Sequence, residues 1–175
     1  MSLKLRPLAL EDETAARSAH AEGGHQEFLL NFSDELSWAA YLEQLENERR
    51  GRELAEGRVP AAFLAAVVDD ELVGRVSIRY ALNDYLAYAG GHIGYQVRTE
   101  HRRRGYGTTI LRLALEHATD QGVERVLLTC DDANLGSQKI IESCGGVLES
   151  VVVGNETGGE AFRRYWIEPS ATKKF

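Results

Sequence analysis

The sequence predicts a single α/β domain that combines antiparallel hairpins with one strand-helix-strand crossover, and three observations predict it. Ala61 to Val68 and Leu72 to Tyr80 are apolar, β-rich runs separated by Asp69-Asp70-Glu71, the pattern of a hairpin. His92 to Val97 alternates Ile93, Tyr95 and Val97 with His92, Gly94 and Gln96. It then passes through a charged turn into a helix with Ile110, Leu111, Ala114, Leu115 and Ala118 at three- and four-residue steps. Val126 to Cys130 is almost continuously apolar, as a strand buried on both faces requires. A strand, a helix and a strand of this length imply a right-handed parallel crossover. With 175 residues and 43% hydrophobic content the chain can bury a sizeable core, so residues 1–169 read as one domain and 170–175 as a loose tail.

The elements follow in order. Leu3 to Leu8 alternates weakly around Pro7, which suits a short edge strand. A helix comes next, with Glu11, Asp12 and Glu13 as favourable first-turn charges and Gly23-Gly24 as its terminator. A second helix is expected to begin near Ser33-Asp34, with Trp38, Tyr41, Leu42 and Leu45 on one face and LENERRGRELAEG as a solvated extension. Asn83 to Gly91 reads as a loop that carries Tyr85 and Tyr88 and ends in paired glycines. After the helix Gly105 to Gln121 and the buried strand, Asn134 opens a helix whose inner face is Ser137, Ile140, Ile141 and Cys144. Val147 to Val153 and Ala161 to Ile167, joined by the glycine-rich NETGG, form a final hairpin.

The chemistry concentrates at the junction after Val97. Arg98, Arg102, Arg103 and Arg104 lie within seven residues of a chain whose formal charge is -7, and Gly105-Tyr106-Gly107 follows them. Glycines let a ligand approach the backbone, successive N–H groups in such a turn form an anion nest, and the next helix points its positive end at the same place. A diphosphate suits that site. A Walker A loop is excluded, because no G-x-x-x-x-G-K-[ST] occurs. A Rossmann fingerprint fits poorly, since Ile110 stands where a third small residue belongs.

Arg102-x-x-Gly105-x-Gly107, after a strand and opening a helix, resembles the acetyl-CoA loop of the GNAT acetyltransferases. CDDANLGSQKIIESCGG, Cys130 to Gly146, is similar to that family's later Asn-x-x-Ser/Ala motif and short helix. The resemblance covers Ala61 to Glu168 well. It is closest to a bacterial branch of predicted acetyltransferases with a similar GGHIGY strand, here Gly90 to Tyr95, and a closing RYWI strand, here Arg164 to Ile167. It implies a mixed, mostly antiparallel sheet of about seven strands with a central, splayed parallel pair and about four helices.

The resemblance also implies a chemistry: acetyl-CoA as acetyl donor, no metal, and direct attack by an acceptor amine in a ternary complex. The backbone of Val97 would meet the upper end of the donor. Arg103, Arg104, Gly105, Tyr106, Gly107 and Thr108 would cradle the pyrophosphate, with Arg102 supporting the turn. Asn134 would bond the pantetheine arm, or serve as a helix cap. His92 is the candidate base, or a histidine that pairs with a neighbouring backbone group. Many relatives place a tyrosine seven residues after the motif asparagine to protonate the leaving thiolate; Ile141 stands there in this chain, and Ser137 is the candidate for that region. Glu100 and His101 read as the solvated rim of the turn. His25, Glu27, Phe28, Asn31 and Phe32, beside the early helices, are candidates for acceptor contact or for core packing.

The expected activity is therefore N-acetylation of a small-molecule amine. The alternatives are acetylation of a protein N-terminus, as in ribosomal-protein acetyltransferases, and a non-catalytic acyl-CoA sensor. Asp84, Asp131 and Asp132 favour a cationic acceptor. A pI near 5.3 argues against nucleic acid as partner. No signal pattern or membrane-length apolar run is present, and Cys130 and Cys144 have no metal or redox spacing, so a cytoplasmic protein with ordinary core thiols is expected. Pairing through Ala161 to Ile167 into a homodimer is the assembly the resemblance suggests.

Overall fold

The computed structural model describes residues 2–23, 26–154 and 158–169. His25, the Asn155 to Thr157 part of the last turn and the expected tail at 170–175 lie outside the described residues. Among the described residues, seven strands form two antiparallel sheets. The first has the order β1 (Lys4–Pro7), β2 (Ala61–Val68), β3 (Glu71–Arg79) and β4 (Ile93–Val97). The second has the order β5 (Val126–Asp131), β7 (Ala161–Ile167) and β6 (Val147–Val153). The α-helices among the described residues are α1 (Glu13–Ala21), α2 (Trp38–Arg49), α3 (Asp84–Tyr88), α4 (Tyr106–Asp120) and α5 (Leu135–Ser143). Among the described residues no helix is long and apolar enough to cross a membrane.

The β2–β3 hairpin closes through Asp69 and Asp70, whose φ angles of 48° and 65° give the left-handed pair that a tight two-residue turn needs. Aspartate tolerates that region better than most side chains. Every residue of β2 is buried, because helices cover both faces of the first sheet. On one face Ile110, Leu111, Ala114, Leu115 and Ala118 of α4 pack against Val76, Ile78 and Ile93, with Ile141 of α5 and Tyr165 of β7 completing the core. On the other, Phe28, Leu29, Trp38 and Tyr41 pack against Phe63, Ala65 and Val67. Full burial of a side chain such as Ile110 contributes on the order of 2 kcal/mol.

Several expectations shift. The second helix starts at Ser37, not near Ser33, because the Ser37 hydroxyl accepts the Ala40 N–H at 3.2 Å while Ser33 takes only the N–H of Glu35 in a local turn. The 83–91 loop contains the short helix α3, capped when Asn83 Oδ1 accepts the Leu86 N–H at 2.9 Å. Gln138 joins Ile141 on the inner face of α5, its amide donating to the Asp132 carbonyl at 2.7 Å. Strand β7 sits between β5 and β6 with both edges paired, so Ala161 to Ile167 offers no free edge to a second copy. Between β4 and β5, the pair expected to splay, the contact is one isolated bridge, antiparallel in sense, that links Gly91 to Leu128. The two sheets meet there and part beyond it.

Candidate active site

The opening between β4 and β5 is built from a few residues at their point of contact. Gly91 has φ 65°, and a Cβ on it would stand 2.3 Å from the Leu127 carbonyl oxygen, so only glycine permits this approach. The next residue, His92, donates its backbone N–H to Leu127 O at 2.8 Å, and its ring Nδ1 accepts the Leu127 N–H at 2.9 Å. The imidazole thereby takes the place of a ladder carbonyl. The backbone donor defines the tautomer: Nδ1 carries the lone pair and the ring hydrogen lies on Nε2. Burial, reinforced by the nearby Arg79 cation, pushes His92 down to about 4. Of the two readings of His92, this geometry matches the histidine that pairs with backbone, because the nitrogen lone pair is already engaged.

Beyond that contact β4 is hydrogen-bonded to β3 on one side only. The N–H of Arg79 donates to His92 O and that of Arg98 to Val73 O, which sets the alternation of the ladder. Ile93, Tyr95 and Val97 therefore turn their main-chain groups toward the edge that faces β5. Arg102 reaches back so that its Nε donates to the Val97 carbonyl at 3.2 Å, bracing the turn against the end of the strand.

The turn itself has an alternating backbone. Arg103 has φ 62° and Gly105 φ 80°, both left-handed, and α4 begins immediately after. Left-handed residues alternating with others gather successive N–H groups into a concavity, and the first N–H groups of α4 at Tyr106, Gly107 and Thr108 have no partner within the helix. The exposed side chains of Arg102, Arg103 and Arg104 surround it. Arg98 stands apart from them. It donates to Leu72 O and pairs with Glu22 at 3.1 Å and Glu100 at 2.9 Å, so it ties α1 to the turn and is no part of the open cation cluster. His101, expected on a solvated rim, is buried at 5% exposure beneath Tyr106, with Glu71 and Glu100 each 3.5 Å from Nε2.

Across the opening, Asn134 caps α5: its Oδ1 accepts the Ser137 N–H at 3.0 Å, which leaves the amide's NH2 group as the part a ligand would meet. Gly107 faces α5 directly, since a Cβ there would lie 2.7 Å from Ile140 Cδ1 and 3.8 Å from the Tyr95 ring. Contacts thus tie Val97 to Arg102 and Gly107 of the turn to Tyr95 of β4 and Ile140 of α5, the helix that Asn134 and Ser137 begin. His92 marks the closed end of the opening.

Two residues escaped the sequence reading. Tyr95 was legible only as a core position of an alternating strand, yet its hydroxyl is buried without a hydrogen bond of full geometry among the described residues, with Ser137 as its nearest polar neighbour. Arg75 is 1% exposed and donates to Gly94 O, Glu27 O and Gln96 Oε1, with no carboxylate paired to it among the described residues; burial, and then Arg79, pull it down to about 10. Its signal was there in LVGRVSIR, an arginine within an otherwise apolar stretch.

The residues expected near an acceptor separate. Phe28 is core, and Phe32 packs edge-on against Trp38 and Tyr41. Glu27 gives its carbonyl to Arg75, and Asn31 lines an open cavity of about 580 Å³ beside α2 together with Glu43, Glu48 and Arg58. Asp132 is paired with Arg163 at 2.6 Å, while Asp84 and Asp131 are exposed. Tyr88 covers Phe162 of β7 and Tyr85 is 66% exposed. Among the described residues no group of three His, Cys, Asp or Glu side chains is placed to hold a metal ion.

Comparison with known proteins agrees with this architecture. Mycobacterium smegmatis RimJ, solved with CoA-disulfide, superposes with TM-score 0.72 at 18% identity, covering 98% of this chain and 84% of that one. YncA of Salmonella typhimurium, described as a putative acetyltransferase with its cofactor acetyl-CoA, gives 0.67 at 14% identity, with 99% and 98% covered. A chimera of Vibrio cholerae spermidine N-acetyltransferase SpeG with hSSAT gives 0.66 at 20%, with 97% and 98% covered. No curated protein matches the sequence. A family model described as an acetyltransferase (GNAT) domain matches residues 2–147, and the chain belongs to that family of acyltransferases.

Proposed function

We propose that this protein is an acetyl-CoA-dependent N-acetyltransferase that acetylates the amine of a small molecule by direct attack. One observation carries the reading: the left-handed Arg103 and Gly105, at the start of α4, gather N–H groups and arginines beside the edge of β4 that no strand covers. The family supplies the reaction class, and the neighbours solved with acetyl-CoA and CoA-disulfide supply the donor class. The spermidine acetyltransferase among them supports a small amine as acceptor.

In this reading the N–H groups from Arg103 to Thr108 hold the pyrophosphate, with Arg102 fixing the turn to Val97. The main chain of β4 near Val97 and the Asn134 amide hold the pantetheine arm. Acetyl-CoA supplies an acetyl group activated as a thioester. The chain's own contribution is to orient it, keep the two strands apart and exclude water from the apolar walls made by Tyr95 and Ile140. His92 acts as a positioning residue, because its Nδ1 is occupied by Leu127. The acceptor arrives as a neutral amine, its surplus proton passing to solvent. Ser137, on the first turn of α5, adds a hydroxyl to the donor's thiol end.

The reading is tested by incubating the protein with acetyl-CoA and a panel of polyamines, amino sugars and amino acids while following release of free thiol. Amine-dependent thiol release with a mass increase of one acetyl group on the acceptor is expected. Tight CoA binding with no product from any amine would instead make the protein an acyl-CoA sensor.

A further inference from the structure

Tyr95 stands where β4, β5, α4 and α5 converge. Its hydroxyl is buried and makes no hydrogen bond of full geometry among the described residues, the Ser137 side chain being close enough to act on it only as a weak hydrogen-bond partner. The ring lies against Gly107 of α4, 3.8 Å from where a Cβ would be. Ser137 on α5, Cys130 on β5 and Cys144 at the end of α5 are near enough to influence its ionisation. Buried polar groups are almost always satisfied, so a buried phenol held only by this loose contact with Ser137 leaves room for a stronger acceptor from outside the chain.

The course of the site identifies that acceptor. β4 runs from its contact with β5 at His92 to the brace at Val97 and on into the phosphate-binding turn. A donor whose pyrophosphate rests on Arg103 to Thr108 runs its thiol end back along this strand, past Tyr95. The position seven residues after Asn134, where a phenol would approach from α5, is filled by Ile141, which is 1% exposed and part of the core.

We propose that Tyr95 is the hydrogen-bond donor to the leaving sulfur of the acyl donor, an assignment that rests on the acetyl-CoA reading above. As the acceptor nitrogen forms its bond to the thioester carbonyl carbon, the carbon–sulfur bond breaks and its electron pair passes to sulfur. The nitrogen's surplus proton goes to solvent. Sulfur leaves as a thiolate facing the Tyr95 hydroxyl, with Ser137 beside it. Burial pushes the Tyr95 phenol up to about 12, with Ser137 partly offsetting that rise. A thiol's reference value is about 8.5. The phenol is the weaker acid, so its proton stays on oxygen and stabilises the thiolate through a charge-assisted hydrogen bond. Tyr95 is thus an anion stabiliser rather than a general acid, and its buried phenol stays protonated across the neutral range.

Tyr95→Phe tests this with three readouts. The unliganded variant should melt at or above the wild-type temperature, since only a loosely held hydroxyl is removed. Calorimetric titrations at pH 9 with CoA and with desulfo-CoA should show the wild type preferring CoA by roughly 10-fold, and the variant binding both alike. Turnover should fall roughly 10- to 100-fold, with KM for acetyl-CoA little changed. A variant that keeps the wild-type preference for CoA and the wild-type turnover overturns the assignment of Tyr95 and leaves the acetyl-CoA reading standing. If neither CoA nor desulfo-CoA binds the wild type, the acetyl-CoA reading fails and this assignment fails with it.

Discussion

His92 and Leu127 exchange two hydrogen bonds, backbone N–H to carbonyl at 2.8 Å and backbone N–H to ring Nδ1 at 2.9 Å, and this pair is the seam between the two sheets. A side chain does there what a carbonyl does in a ladder. Because the imidazole belongs to one residue, the pairing stops after it, and β4 and β5 separate to leave the cleft.

Removing the ring should therefore be a structural lesion. His92→Ala leaves the Leu127 N–H buried without an acceptor and should cost about 1–3 kcal/mol of unfolding free energy in urea. His92→Asn, whose Oδ1 can occupy the position of Nδ1, should recover most of that loss. A stable, fully folded His92→Ala protein whose turnover alone collapses would instead return His92 to the role of base.

The same bond predicts a pH dependence. The unfolded imidazole takes up a proton as pH falls through about 6.5, whereas burial and Arg79 hold the folded one neutral until about 4. Between these values the unfolded state binds more protons, so this contribution to stability is complete above pH 6.5 and is lost as pH drops toward 4. Melting temperatures measured from pH 7.5 to 4.5 should fall more steeply for the wild type than for His92→Asn. Parallel curves would mean that His92 takes up its proton at the same pH in the folded and unfolded states.

Gly107 separates packing from ligand contact. Alanine in a helix is ordinarily about 1 kcal/mol more favourable than glycine, but the added Cβ meets Ile140 Cδ1 at 2.7 Å, at the mobile end of that side chain. These effects nearly cancel, so Gly107→Ala should stay within about 1 kcal/mol of wild-type stability while weakening acetyl-CoA binding. Gly107→Val should destabilise by about 1–3 kcal/mol through overpacking. Ile140→Val, which deletes Cδ1, should rescue part of that loss. Unfolding curves of the four proteins and the double variant check the coupling.

Asn134 carries a cap and a proposed ligand contact on one amide. Asn134→Ala should cost about 0.5–2 kcal/mol by uncapping α5. Asn134→Ser keeps a capping oxygen and removes the NH2 group, so it should hold its melting temperature while losing affinity for CoA. Wild-type affinity for CoA in Asn134→Ser would confine Asn134 to capping.

How far these features could be read in advance depends on their range. The buried stripe of α4 from Ile110 to Ala118, the β2–β3 hairpin and the glycine-arginine turn are local patterns, and their periodicity or turn chemistry stands in consecutive residues. The start of α2 was misplaced because Ser33 and Ser37 are equally good caps in sequence, and only the packing of Trp38 and Tyr41 against Phe63 selects between them. The roles of His92, Tyr95 and Arg75 depend on partners at Leu127, Ser137 and Glu27, tens of residues away. Side-chain type alone could not show that the His92 lone pair is taken or that the Tyr95 hydroxyl is buried beside Ser137. The parting of β4 from β5 was expected only through the family resemblance, since both segments have good strand composition and nothing in their own residues marks the opening.

The most direct test of the central claim, that the Arg102 to Thr108 turn and the β4–β5 opening hold acetyl-CoA, is a calorimetric titration with acetyl-CoA, CoA and ATP. It should be run on the wild type and on a variant carrying Arg102→Ala, Arg103→Ala and Arg104→Ala. The account predicts saturable one-to-one binding of acetyl-CoA and CoA, no comparable binding of ATP, and a loss of roughly 10-fold or more in affinity when the three arginines are removed. Binding of ATP as tight as that of acetyl-CoA, or acetyl-CoA affinity untouched in the triple variant, would contradict it.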